Sequence, residues 1–134
     1  MIGLDEPIVV NPDAAVLILR VVLGVAMILH GYPKVLGEGR KQTVEFMKSM
    51  GVPPVVTQLT SLLEFAGGIA VAVGFLTAPI AILFALEMAA TTVLSKRKLG
   101  KKYVLGYELD IAYLGVALAT ALLGGGTIAL DALL

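Results

Sequence analysis

The 134-residue sequence contains no cysteine. That excludes disulfides, thiolate-bound metals, iron–sulfur ligation and any persulfide intermediate carried on this chain. Histidine occurs once, at His30, so a bis-histidine haem within one chain is excluded too. Basic residues are missing from whole regions: none lies in residues 1–13, 55–95 or 103–134. The opening MIGLDEP is acidic where a secretory signal would be basic, and no small-residue cleavage site follows the first apolar run. The run is therefore expected to be retained as a span. No metal site is expected from the residues, and no nucleic-acid partner.

What is abundant is apolar surface. Hydrophobic residues make up 58% of the chain, against roughly 45–50% in soluble domains. They fall into four runs long enough for a bilayer, which needs ~20 residues within a range of about 17–25. The spans are read at about 14–31, 55–76, 78–95 and 103–123, forming a single domain over 1–134. Asn11-Pro12-Asp13 reads as a helix start: an N-cap, a proline at the first helical position, and an acid complementing the dipole. The first span is expected to end at Gly31-Tyr32-Pro33, and the fourth at Gly124-Gly125-Gly126. Between spans two and three, Thr77-Ala78-Pro79 reads as a tight turn with Thr77 as N-cap. In the first loop, residues 43–50 place Val44 and Met47 against Glu45 and Lys48, the pattern of a short interfacial amphipathic segment.

The predicted fold is an all-α membrane protein, a four-transmembrane-helix antiparallel bundle. Nine of the ten basic residues lie in the first and third loops: Lys34, Arg40, Lys41, Lys48, Lys96, Arg97, Lys98, Lys101 and Lys102. By the positive-inside rule these loops face the cytoplasm and both termini lie on the outer side of a multi-pass cell-membrane protein.

The tenth, Arg20, lies inside a span, where a guanidinium costs about 2.5–3.5 kcal/mol on insertion scales. Glu64, Glu87, Glu108 and Asp110 also lie in or beside apolar runs. Counting depth at about 1.5 Å per residue sets Arg20 roughly 10 Å from the outer edge and predicts two polar layers. Arg20, Glu64 and Glu87 form the deeper; His30, Glu108 and Asp110 form the shallower, ringed by Tyr32, Tyr103 and Tyr107. On span two, Thr57, Ser61, Glu64 and Gly68 recur on one face, which must turn away from lipid. Four carboxyls against one guanidinium and one histidine leave negative charge that a proton, a metal or a partner must balance. Such a centre suits a quinone or oxyanion; equally, Arg20–Glu64 can be a structural ion pair.

Several short motifs, taken together, resemble the DoxX/DoxD-like membrane protein family: Leu19-Arg20-x-x-x-Gly24, His30-Gly31-x-x-Lys34, Met50-Gly51-x-Pro53, Glu64-x-x-Gly67-Gly68, Gly74-x-x-Thr77, Gly106-Tyr107-Glu108, and Gly126 to Leu130-Asp131. The resemblance implies a four-helix integral membrane fold and, for one branch, a membrane subunit of thiosulfate:quinone oxidoreductase. Carried over by motif, Arg20, His30, Glu64 and Glu108 are candidate catalytic residues. Glu87 joins them on the physical argument alone, with Tyr107 and Asp110 as candidate cofactor contacts and quinone as acceptor. The sequence departs from the family where Ala78 follows Thr77 in place of arginine, and where residues 92–96 lack a histidine.

With no cysteine and no cofactor motif, essential chemistry is expected to need a second subunit, a homo-oligomer, or both. The competing expectations are a non-catalytic structural or assembly subunit of a redox complex and a small proton-coupled or anion transporter. Four spans leave the transporter little room for alternating access.

Overall fold

The computed structural model describes residues 11–134. The acidic lead-in broken by Pro7 lies outside the described residues. Helix α1 spans Pro12–Val35. Pro12 sits in its first turn, and the Asn11 side chain accepts a hydrogen bond from the Ala14 amide at 3.1 Å, as the residue types dictate. It does not end at Gly31-Tyr32-Pro33. Pro33 removes one N–H donor near the C-terminus, and the Leu36 amide still closes the last turn on the Tyr32 carbonyl at 3.0 Å. The additional turn carries Lys34 into the helix.

The first loop contains α2, Gly39–Ser49, longer than the turn or two expected. Helix α3 spans Pro54–Val73 and widens to a π-helical turn over Leu63–Gly67. Helix α4 spans Thr77–Arg97. Tyr103–Tyr107, expected to open the fourth span as regular helix, is an irregular turn instead: Val104 is extended (ψ 130°) and Leu105 left-handed (φ 58°). Regular helix α5 begins at Glu108, whose Oε1 accepts from the Leu105 amide at 2.9 Å, and runs to Leu123. It stops at Gly124, as the glycine run predicts. A 3-10 turn, Leu130–Leu133, follows.

Four stretches are long and apolar enough to cross a membrane: Pro12–Val35, Pro54–Val73, Thr77–Arg97 and Tyr103–Leu123. α1 packs chiefly on α3 and α4 on α5, each pair joined through a basic loop, and α1 also touches α5. Leu23, Met27, Val71, Phe84 and Ala117 make the core between them. The polar groups are turned inward. Arg20, Thr57, Ser61, Glu64, Thr77, Ser95 and Thr120 are buried, while Ile18, Leu29, Leu86 and Leu122 point out. Such an arrangement suits hydrocarbon, which offers a polar group no partner.

Two glycines set how closely α1 and α3 approach. A Cβ on Gly24 would lie 2.7 Å from the Gly68 carbonyl oxygen, and one on Gly31 2.5 Å from the Phe65 nitrogen. These are small-residue contacts of the kind that let membrane helices meet backbone to backbone. They also set the register. Gly31 abuts Glu64, Gly24 abuts Gly68 and Ala72, and one turn further along Arg20 meets Gly74.

Candidate functional site

That register splits the expected polar centre in two. Arg20 does not pair with Glu64 or Glu87. Its guanidinium lies against Gly74 and the C-terminal tail, and Nη2 donates to the Ile128 carbonyl at 2.6 Å. Nε and Nη1 are buried without a hydrogen-bond partner among the described residues. The tail folds back over this end. The Thr127 amide donates to Asp13 at 3.0 Å, and the Asp131 amide to the Gly74 carbonyl at 2.8 Å. The Asp131 carboxylate accepts from the Leu76 and Thr77 amides at 2.8 and 3.0 Å, so the cap of α4 comes from the tail and not, as expected, from Thr77. Partial burial works to raise the Asp131 carboxyl, but hydrogen bonds from Thr77 and Leu76, with the charge of Arg20, outweigh it and hold it below the usual carboxylate range.

The other polar group lies at the basic-loop end. Here Lys34 Nζ, one turn beyond His30, bonds both oxygens of Glu64 at 2.9 and 3.1 Å. The Glu64 side chain is only 8% exposed, so its cation is required, and the ion pair bridges α1 to the π-helical turn of α3. Glu87 on α4 faces this pair, its Oε2 buried and without a hydrogen-bond partner among the described residues. The ammonium is taken up by Glu64, and the second carboxyl has no cation bonded to it among the described residues.

These groups line a cavity of about 320 Å³ between the two helix pairs. Four of the five methionines (Met27, Met47, Met50 and Met88) line it, and α2 closes one side with Thr43, Phe46 and Met47. Thioether walls adapt to an apolar guest. The stripe predicted on span two is buried throughout, and Thr57, Ser61 and Glu64 face the cavity. The Thr57 hydroxyl has no hydrogen-bond partner among the described residues.

His30 is on the wall but exposed. Its Nδ1 lies 2.7 Å from the Ala26 carbonyl, which can only accept, so Nδ1 carries the proton and Nε2 is left open. The His30 ring stands edge-on to Tyr113, centroids 6.2 Å apart. Asp110 also lines the cavity and accepts a hydrogen bond from Ser95 at 3.3 Å.

Of the residues singled out from sequence, His30, Glu64, Glu87 and Asp110 are thus together. Arg20 is at the opposite end. Glu108 closes the turn before α5, and Tyr103 and Tyr107 stack edge-on at 5.5 Å outside the main cavity; Tyr32 packs on Phe65 instead. Polar wall residues outside the candidate set include Tyr113, Thr91, Ser95 and Lys34, the last read from sequence only as a first-loop cation and a motif residue. The i, i+4 spacing from His30 would have found Lys34 had α1 been carried past Pro33. Among the described residues, no group of three or more His, Asp or Glu is placed to hold a metal.

The sequence profile of the DoxX family matches residues 15–97. Among characterised sequences the chain is similar to "Putative oxidoreductase CatD" of Bacillus subtilis (strain 168), 29% identical over 89% of this chain and 86% of that one. It is also similar to the inner membrane protein YqjF of Escherichia coli (strain K12), 32% identical over 91% of this chain and 93% of that one. A second protein of that organism, inner membrane protein YphA, is 29% identical over 86% of each chain. No solved structure matches.

Proposed function

The chain belongs to the DoxX family of membrane proteins, and from that premise we propose that it is the membrane subunit of an oxidoreductase whose cavity receives a quinone head group. The observation that carries the reading is the cavity itself: thioether and aliphatic walls with Lys34, Glu64 and Glu87 gathered on one side. A quinone needs an apolar slot for its ring and polar groups at its carbonyls. Lys34 supplies the donor to a quinone carbonyl, His30 Nε2 can accept from the reduced hydroxyl, and the uncompensated carboxyl of Glu87 is a place to hold a proton. A relative's designation as an oxidoreductase supports the same class of chemistry.

The electron donor we propose is a reduced sulfur anion, with thiosulfate as the type. Arg20 is 1% exposed and sealed by the tail, so it does not serve as the anion's receptor; a partner subunit carrying cations and a redox centre would supply that site. The basic loops are proposed to face the cytoplasm, with both termini outside.

Membranes from cells expressing this chain with its co-purifying partner should reduce a short-chain ubiquinone analogue with thiosulfate, and membranes lacking it should not. Equal rates after confirmed expression would refute the reading. The Lys34–Glu64 pair, which ties α1 to α3, favours a second reading in which the polar cluster only holds an assembly subunit together. Under that reading Glu87→Gln leaves the complex fully active; under the first it impairs turnover.

A further inference from the structure

Quinone reduction consumes two protons along with two electrons, and Glu87 lies well inside the bundle. We propose that Glu87, Thr91, Ser95 and Asp110 form a proton line along the wall of the quinone cavity, from the basic-loop end of the bundle to Glu87 at its inner end. The inference rests on the quinone reading above and adds to it a direction of proton supply.

Glu87, Thr91 and Ser95 recur at i, i+4 and i+8 on α4, one above another on a single face, and all three line the cavity. Eight residues of helix cover about 12 Å, the distance from the middle of the span to its basic-loop end. There the line passes to a second helix: the Ser95 hydroxyl, 3% exposed, donates to Asp110 Oδ2 at 3.3 Å. Asp110 is half-buried in the first turn of α5, where the chain enters from the loop. Neutral packing does not call for this stripe: apart from Thr77 in the first turn, the rest of the buried face of α4 is Ala81, Phe84, Ala85 and Met88.

The charged groups around the line favour its direction. Lys101 and Asp110 both line the cavity at the loop end, where the Lys101 amide donates to the Ser95 carbonyl at 3.0 Å, and Lys34 with Glu64 faces Glu87 at the inner end. Thr91 at rest donates its hydroxyl to the Glu87 main-chain carbonyl at 2.9 Å; to relay, its oxygen accepts a proton from the Ser95 side and its own O–H turns to the Glu87 carboxyl. At about 320 Å³ the cavity has room for water between these side chains.

In balanced form, two thiosulfate ions join through a new S–S bond at the partner subunit and release two electrons. The quinone takes up those electrons, and its two carbonyl oxygens take up two protons, delivered in turn through Asp110, Ser95, Thr91 and Glu87. Each proton leaving Glu87 is replaced from the loop side.

The test compares the intact complex carrying Asp110→Asn, Ser95→Ala or Glu87→Gln with the wild type, measuring affinity for a ubiquinone analogue and turnover separately. Asp110→Asn should lower kcat by ~10²-fold, the lower end of what a positioned proton donor contributes, without changing the analogue's Kd. Asp110→Glu, or added azide as a small proton carrier, should restore turnover. Ser95→Ala should give a smaller loss with the same unchanged Kd, and it keeps the test open should Asp110→Asn fold poorly. Wild-type kcat in both Asp110→Asn and Ser95→Ala would overturn the proton line while leaving the quinone reading intact. No analogue binding by the wild type would overturn both.

Discussion

Lys34 and Glu64 illustrate what a single ion pair can cost and return. Glu64 is buried, Lys34 about one-third exposed, and the two oxygens of the acid share one ammonium. Lys34→Met strands a carboxylate in the wall and should destabilise the protein by about 3 kcal/mol, the lower part of the range for breaking a buried pair because water reaches the lysine. Replacing both partners, as Lys34→Met with Glu64→Leu, should recover most of that loss. Thermal unfolding of the four proteins in one detergent measures the cycle; a double variant as unstable as the single would contradict it. Asp131 behaves differently because it sits outside the spans. Its folded-state value is depressed, so its bonds to the Leu76 and Thr77 amides add stability above the ordinary aspartate value of about 3.9. That stability disappears as the pH falls from there through the lower folded value. Hydrogen exchange at the Leu76 and Thr77 amides should accelerate beyond the intrinsic rate across that window. In Asp131→Asn the fast exchange should already be present at neutral pH, and no acid step should remain. The role of Lys34 was legible in principle from its spacing to His30, whereas that of Asp131 was not. A tail residue 54 positions from the amide it caps leaves no local pattern to read.

Among the elements, α3 is where periodicity and structure part. The polar stripe Thr57–Ser61–Glu64 follows from 3.6-residue spacing and is buried as that spacing predicts. The π-helical turn over Leu63–Gly67 is not written in any residue type, because one extra residue per turn is selected by what the turn packs against. Here that is Gly31, whose missing side chain lets α1 lie on the Glu64 and Phe65 backbone. Gly31→Ala puts a methyl 2.5 Å from a main-chain nitrogen that cannot rotate away, and should destabilise by ~1–3 kcal/mol, as overpacking does. Gly115→Ala is the control: nothing among the described residues lies within 4 Å of that Cβ, so it should be neutral or stabilising in α5. Melting temperatures of the two variants check the contrast, and equal shifts would argue against the close approach.

At the scale of the molecule, the two ends of the bundle do different work. The end bearing the chain's C-terminus is shut by its own tail, with Arg20, Asp13 and Asp131 as the fastenings. The basic-loop end encloses the cavity, covered on one side by α2. Because the chain has no cysteine, an introduced thiol is unique, and membrane sidedness can be mapped cleanly. A thiol at Lys98→Cys should react with an impermeant maleimide only in inverted vesicles, and one at Leu134→Cys only in intact cells. The reverse pattern would invert the proposed topology.

The residues alone determined the helical class, four runs of bilayer length, the Asn11-Pro12 start and the glycine stop, because each depends on local composition or on neighbours within a turn. The sequence also contained the right ionisable groups, but not their partners. Depth counted along separate helices set Arg20 level with Glu64; the antiparallel register fixed by Gly24 against Gly68 and Gly31 against Glu64 set Lys34 there instead. Which charges meet across a bundle is decided by where backbones can touch, and that is a property of two helices together.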